Sequence, residues 1–219
     1  MDKPFVVYGG RGTGSVIVEA ALTLLALPYH VIDQAALTSP SRDQRAAAVN
    51  PLRQAPALVL PDGEVLTESA AILIWLADRY PEGRLAPPPS DPERAAFLRW
   101  MAFVSAQIYA LFWVRDDPTR LAADEAHQAL ILTRTTERIL HCWWTMDAQI
   151  SPGAYLLGDE PGVLDLYVTV ISRWGPRRRK FYAVAQKMAD VVRRVDADPR
   201  LAALWAERFP FTGGWEGEA

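Results

Sequence analysis

The amino-acid sequence predicts an α/β N-terminal unit, in the order β-α-β-α-β-β-α, followed by an all-α region. Three observations carry this expectation. Short β-rich runs alternate with helical runs only within the first 80 residues. A stretch with five prolines, PEGRLAPPPSDP at residues 81–92, can sustain neither a helix nor a sheet ladder. Beyond it strand signals almost vanish and long helical runs take over. The domains expected are therefore 1–80 and 93–219, joined by the linker 81–92.

The elements follow in order. Phe5 to Tyr8 is a short β-rich run bounded by Pro4 and Gly9-Gly10, as a buried strand would be. The loop GGRGTGS (9–15) leads into VIVEAALTLLAL (16–27), which is too long for a strand and has Ala and Leu at helical spacing. Thr13 or Ser15 supplies its cap, and Pro28 stops it. Tyr29 to Ile32 is a second strand, which makes the start a parallel crossover unit. Residues 33–49 are polar, Ala-rich and predict a loose helix. Ala57 to Leu60, the turn Pro61-Asp62-Gly63 and Glu64 to Leu66 form two further strands, and Glu68-Ser69 opens an apolar helix ending near Tyr80. After the linker, Asp91 caps and Pro92 starts a helical run from Glu93 to Arg115. Further helices are expected over Ala122 to Ile150, residues 163–174, Arg177 to Val195 and Pro199 to Glu207. The tail from Phe209 has no regular pattern.

Bulk properties narrow the function classes. The chain has 219 residues, half of them hydrophobic, so a sizeable core is available. A net charge of -3 argues against a general nucleic-acid or anionic-membrane binder. The single cysteine, Cys142, excludes an internal disulfide and a thiolate metal cluster. His30, His127 and His141 sit in no metal-ligand motif. The N-terminus lacks the apolar core of a signal peptide, and no run is expected to supply the roughly 18 apolar residues that span a membrane. A cytoplasmic protein is the expectation.

Several segments together resemble the cytosolic glutathione S-transferases, in particular bacterial members. They are Asn50-Pro51, Gln54-Ala55-Pro56, Asp62-Gly63 and Thr67-Glu68-Ser69 with Ala70-Ala71-Ile72-Leu73. In the second half, Gly158-Asp159 followed by Val163-Leu164-Asp165-Leu166-Tyr167 is similar to that family's buried capping segment. The resemblance covers nearly the whole chain. It implies a thioredoxin-like first domain that binds glutathione and a helical second domain carrying an electrophile pocket and dimer contacts. It also implies a homodimer, with glutathione as co-substrate, no other cofactor and no metal.

The resemblance assigns roles to named residues, and each has a plain structural alternative. Most X-Pro bonds are trans; the family implies a cis Ala55-Pro56, with the Ala55 backbone pairing to the cysteinyl backbone of glutathione. Glu68 and Ser69 suit an ordinary helix cap; by the same physics a helix N-terminus binds a carboxylate, and the family implies that Ser69 holds the γ-glutamyl carboxylate and Glu68 the ammonium. Arg53, and less so Gln54, would meet the glycyl carboxylate, and Arg11 would attract the anionic tripeptide. The glycines of the first loop do not fit a dinucleotide fingerprint. In the family this loop activates the glutathione thiol, whose ordinary pKa near 8.5 must fall for a thiolate to exist at neutral pH. Three hydroxyls compete: Thr13, where serine-type members carry their serine; Ser15, two residues on; and Tyr8, at the end of the first strand. The usual serine is absent.

Tyr109, Phe112 and Trp113 form a stripe at helical spacing that serves as core or as the electrophile pocket, with Trp215 of the tail and Arg115 as possible additions. Of the adjacent Trp143 and Trp144 at most one faces inward. Asp165 is expected to cap its helix, although the Ser or Thr of a full capping box is replaced by Gly162. The basic run Arg177 to Lys180 opposes a helix dipole and calls for acidic partners. A small hydrophobic electrophile is the expected second substrate. The alternatives on the same scaffold are a glutathione-dependent reductase, peroxidase or isomerase, and a non-catalytic glutathione- or ligand-binding protein.

Overall fold

The computed structural model describes residues 3–33 and 49–217. Its first part is β1 (Phe5–Gly9), α1 (Ser15–Leu24), β2 (Tyr29–Asp33), β3 (Ala57–Val59), β4 (Val65–Thr67) and α2 (Ser69–Arg79). The helix expected over 33–49 lies almost wholly outside the described residues. The sheet order is β2-β1-β3-β4. β1 and β2 are parallel, as a βαβ crossover requires, while β3 runs antiparallel to both β1 and β4. Phe5 and Val7 alternate inward on β1, and α1 buries every residue from Ser15 to Leu22.

Pairing register decides where the loops meet. Tyr8 lies opposite Ala57, and Ala57 opposite Thr67. Beyond these last pairs the chain runs on to Gly10, Ala55 and Ser69, which therefore leave the sheet at the same end. This is also the end where parallel β1 delivers its chain to the N-terminus of α1.

The second part is helical: α3 (Arg94–Phe103), α4 (Phe112–Asp116), α5 (Glu125–Gln149), α6 (Val163–Ile171), α7 (Arg178–Val184), α8 (Gln186–Asp196) and α9 (Ala202–Arg208). The run from Arg94 to Asp116 is continuous but not uniformly α. A π turn spans Val104–Ile108 and a 3-10 turn spans Tyr109–Leu111. Contrary to expectation, this run is by length and composition apolar enough to cross a membrane, with mean hydropathy 1.4 over 18 residues. Phe97, Trp100, Met101, Val104 and Ile108 are in the core.

The helix expected over Arg177 to Val195 is two helices, broken at Ala185. The break is held by a distant residue: the Asp147 carboxylate on α5 accepts the Met188 N–H at 2.9 Å and so caps α8. The basic run finds its acids. Fully buried Arg178 donates to Asp196 at 2.6 Å, and Arg179 pairs with Glu216. Trp143 is buried and Trp144 is 55% exposed. The Cys142 thiol is buried, and burial raises its pKa.

α6 is buried on all sides. Asp165 accepts the Leu156 N–H and the Gly162 N–H, each at 2.8 Å. The first turn of α6 also has a tertiary partner. The Val163 N–H donates to the linker carbonyl of Leu85 at 2.7 Å, and a Cβ on Gly162 would lie 2.8 Å from that oxygen. A side chain there would force that carbonyl or the helix start to shift.

Candidate functional site

The site forms where the first loop, Ala55 and Ser69 leave the sheet. The Ala55-Pro56 bond is cis. Glu68 has φ +64, a left-handed value unusual for a residue with a side chain, and is exposed at the N-cap of α2. Ser69, 5% exposed, begins that helix. Its hydroxyl shares a 2.8 Å hydrogen bond with the Tyr167 hydroxyl of α6. Burial pushes the Tyr167 phenol up to about 12, so it stays protonated. When that proton is given to Ser69, the serine keeps its own for a ligand.

The three candidate hydroxyls have different fates. Ser15 is fully buried and donates to the Glu19 carboxylate at 2.9 Å, while accepting the Gly10 N–H at 3.1 Å. It is part of the interior. Thr13 is partly buried. Its hydroxyl donates to the Gly10 carbonyl at 2.8 Å and accepts the Gly10 N–H at 3.1 Å, so it folds the loop on itself. Tyr8 alternates with Phe5 and Val7, on the other face of β1 from these core residues.

Arg11, Arg53 and Gln54 are exposed. The Arg53 N–H donates to the Asn50 carbonyl, the Asn50 amide donates to the Gln54 carbonyl, and Arg53 has φ +55. The two residues thus form the rim next to Ala55. Arg11 helps hold the Asp33 carboxyl below its ordinary range, after the larger effect of Arg208.

The aromatic stripe splits. Tyr109 and Phe112 pack on Trp174, at ring-centroid distances of 5.1 and 4.9 Å. Trp113 instead lies 46% exposed beneath the Arg120 guanidinium, apart from this group. Trp215 packs on Phe211, and both rings flank Arg173, which is stacked 3.7 Å from the centroid of Phe209. Arg115 turns to Thr135 and Thr136 of α5. Burial lowers its pKa.

Several residues at this site escaped the sequence reading. Trp174 donates to the Gly12 carbonyl at 2.7 Å, and Arg208 accepts the Gly12 N–H at 2.9 Å through its own carbonyl. The Arg208 guanidinium bridges buried Glu19 (2.8 Å) and Asp33 (3.0 Å). Burial raises the Glu19 pKa and Arg208 opposes the rise. The available signal was Glu19 itself, a lone acid within an otherwise apolar helix that must find a partner. Among the described residues no group of three or more His, Cys, Asp or Glu is arranged to hold a metal. A cavity of about 680 Å³ lies between the linker and the loop before α6, lined by Leu85, Phe97 and Glu160 among others, and includes none of these site residues.

The N-terminal domain of glutathione S-transferases matches as a family over residues 15–79. An Escherichia coli K12 protein described as the uncharacterized GST-like protein YncG is 32% identical over 196 residues, 89% of this chain and 94% of its own. The chain belongs to the glutathione S-transferase family. A maleylacetoacetate isomerase of Pseudomonas aeruginosa is 29% identical across 72% of this chain and 74% of its own. Among solved structures, a glutathione transferase homolog from Sulfitobacter with bound glutathione superposes with TM-score 0.81 at 25% identity, over 94% of this chain and 98% of that one. The fold is therefore that of a glutathione S-transferase, with a thioredoxin-like mixed sheet and a helical C-terminal region.

Proposed function

We propose that this protein is a glutathione transferase that binds reduced glutathione at the Gly10–Ala55–Ser69 end of the sheet and attacks a small hydrophobic electrophile with its thiolate. The observation that carries the proposal is the convergence of the cis Ala55-Pro56 segment with the N-termini of two helices. The Ala55 backbone would pair with the cysteinyl residue. The N-terminus of α2, with Ser69, would hold the γ-glutamyl carboxylate, and exposed Glu68 the ammonium beside it. Arg53, Gln54 and Arg11 on the rim would meet the remaining anionic charge.

The sulfur would then lie near the N-terminus of α1, whose dipole favours a thiolate, and the Glu19 carboxylate that reaches back to Ser15 there is paired with Arg208. The thiol proton passes to solvent. The sulfur forms a bond to the electrophilic carbon, and the leaving group departs with its bonding pair. Tyr109, Phe112 and Trp174 supply an apolar wall for the electrophile. Holding both reactants together and lowering one pKa supply the rate enhancement. The division at residues 81–92, the homodimer and the use of glutathione as co-substrate without a further cofactor belong to the same proposal.

Calorimetric binding of reduced glutathione, followed by conjugation of a generic aryl halide, tests it. Binding with release of halide is the expected outcome. Binding with isomerisation of an activated alkene and no conjugation would move the protein to the isomerase alternative. Failure to bind glutathione would overturn the proposal.

A further inference from the structure

We infer that the Tyr109 hydroxyl is the hydrogen-bond donor that faces the glutathione sulfur, which rests on the glutathione reading above and supplies its missing group. Tyr109 was expected as core or as pocket lining. Its hydroxyl instead donates to the Ala55 carbonyl at 3.1 Å. The same oxygen lies 1.8 Å from where a Cβ on Gly14 would be, so the phenol occupies the space a side chain at that position would fill. Gly14 is the N-cap of α1. The hydroxyl therefore stands between the Ala55 backbone and the start of α1, where a cysteinyl residue paired to Ala55 must put its thiol.

Two of the other candidate hydroxyls are committed. Ser15 is buried against Glu19, and the Thr13 proton goes to the Gly10 carbonyl, an acceptor that glutathione has no reason to take. The acceptor used by Tyr109 is different. A cysteinyl N–H that donates to the Ala55 carbonyl competes with the phenol for it and frees the phenol proton to turn toward sulfur. Packing holds the ring in place: Tyr167 at 6.1 Å and Trp174 at 5.1 Å flank it, and the π turn before it sets its direction. Burial, then the neighbouring Tyr167, Asp116 and Glu68, raise its pKa, so it keeps its proton and acts as a donor through neutral pH.

The test is a pH titration of the thiolate absorbance of enzyme-bound glutathione, with the dissociation constant measured alongside. Tyr109→Phe keeps the ring and is expected to raise the apparent thiol pKa by about one unit, a roughly tenfold loss of thiolate below that pKa. It is expected to cut kcat/KM for the aryl halide by about 10- to 100-fold while glutathione affinity changes by less than about threefold. Gly14→Ala is the second route, since its Cβ would displace the hydroxyl without backbone strain at φ -62. It should raise the thiol pKa similarly. A thiol pKa unchanged in Tyr109→Phe, or a rise seen only in Thr13→Ala, overturns the inference while leaving glutathione binding intact. No glutathione binding by the unaltered protein overturns both.

Discussion

Ser69 joins packing to the binding role proposed for it. Its hydroxyl is nearly buried, yet it touches the Tyr167 hydroxyl and sits at the first position of α2. With Tyr167 donating, the serine presents its proton and the helix presents its free N–H groups in the same direction. Hydrogen bonds to a charged partner are worth about 1.5–3 kcal/mol. Ser69→Ala is therefore expected to weaken glutathione binding by about 10- to 100-fold, with a small loss of stability from the orphaned Tyr167 hydroxyl. Calorimetry checks this, and an unchanged dissociation constant would remove Ser69 from the γ-glutamyl site. Ser69 was legible in the sequence as a helix start, a local signal, whereas the cis Ala55-Pro56 bond was implied only by the family resemblance, most X-Pro bonds being trans. Tyr109 was only half legible. Its spacing marked a stripe, but the π turn that redirects it depends on tertiary packing, and nothing around residue 109 names Ala55 or Gly14 as its neighbours. Trp113 shows the opposite error, a stripe member that turns to solvent.

At the scale of elements, α6 is the helix on which the two halves of the fold rest. Its nine residues are buried throughout, and a helix with no wet face needs its ends satisfied from inside. Asp165 does this at one point and the Leu85 carbonyl at another. The sequence indicated the first, because an acid three residues into an apolar run is a capping signal. It hid the second, because Leu85 is 78 residues away in a Pro-rich linker whose path no local pattern sets. Restoring the hydroxyl of the ordinary capping box should therefore harm this protein. Gly162→Ser places a Cβ 2.8 Å from the Leu85 oxygen, and either that hydrogen bond or the linker must shift. A loss of about 1–3 kcal/mol is expected in chemical denaturation. A serine variant as stable as the parent would mean that the linker adjusts freely. The same logic explains the split of the helix expected over 177–195, since the cap of α8 comes from Asp147 on a different helix.

For the whole molecule, the network Ser15–Glu19–Arg208–Asp33 ties the first loop to the end of the chain across 189 and 175 residues of sequence. Arg208 is 6% exposed and Glu19 fully buried. The same residue's carbonyl holds the Gly12 N–H, so the last helix sets the loop from two directions. No sequence pattern connects these residues; only the unpartnered Glu19 hinted at a cation. Truncating the cation would leave a carboxylate alone in the interior, which costs about 3–5 kcal/mol. Arg208→Met, close in volume, is expected to lose that much stability near neutral pH. The pH dependence has a definite sign. Burial already places the folded-state Glu19 pKa above its ordinary value, and removing Arg208 removes the opposing effect. A carboxylate with a raised folded pKa favours folding below its unfolded pKa, and that contribution is lost as pH rises through the folded pKa. The deficit of Arg208→Met should thus shrink as pH falls toward the carboxylate range and widen above it. Melting temperatures of parent and variant across pH 4.5 to about 8 measure the gap. Adding Glu19→Gln to Arg208→Met should recover part of the loss and flatten its pH dependence, because a neutral amide has no charge to strand. A gap that does not vary with pH would show that Arg208 serves by packing alone.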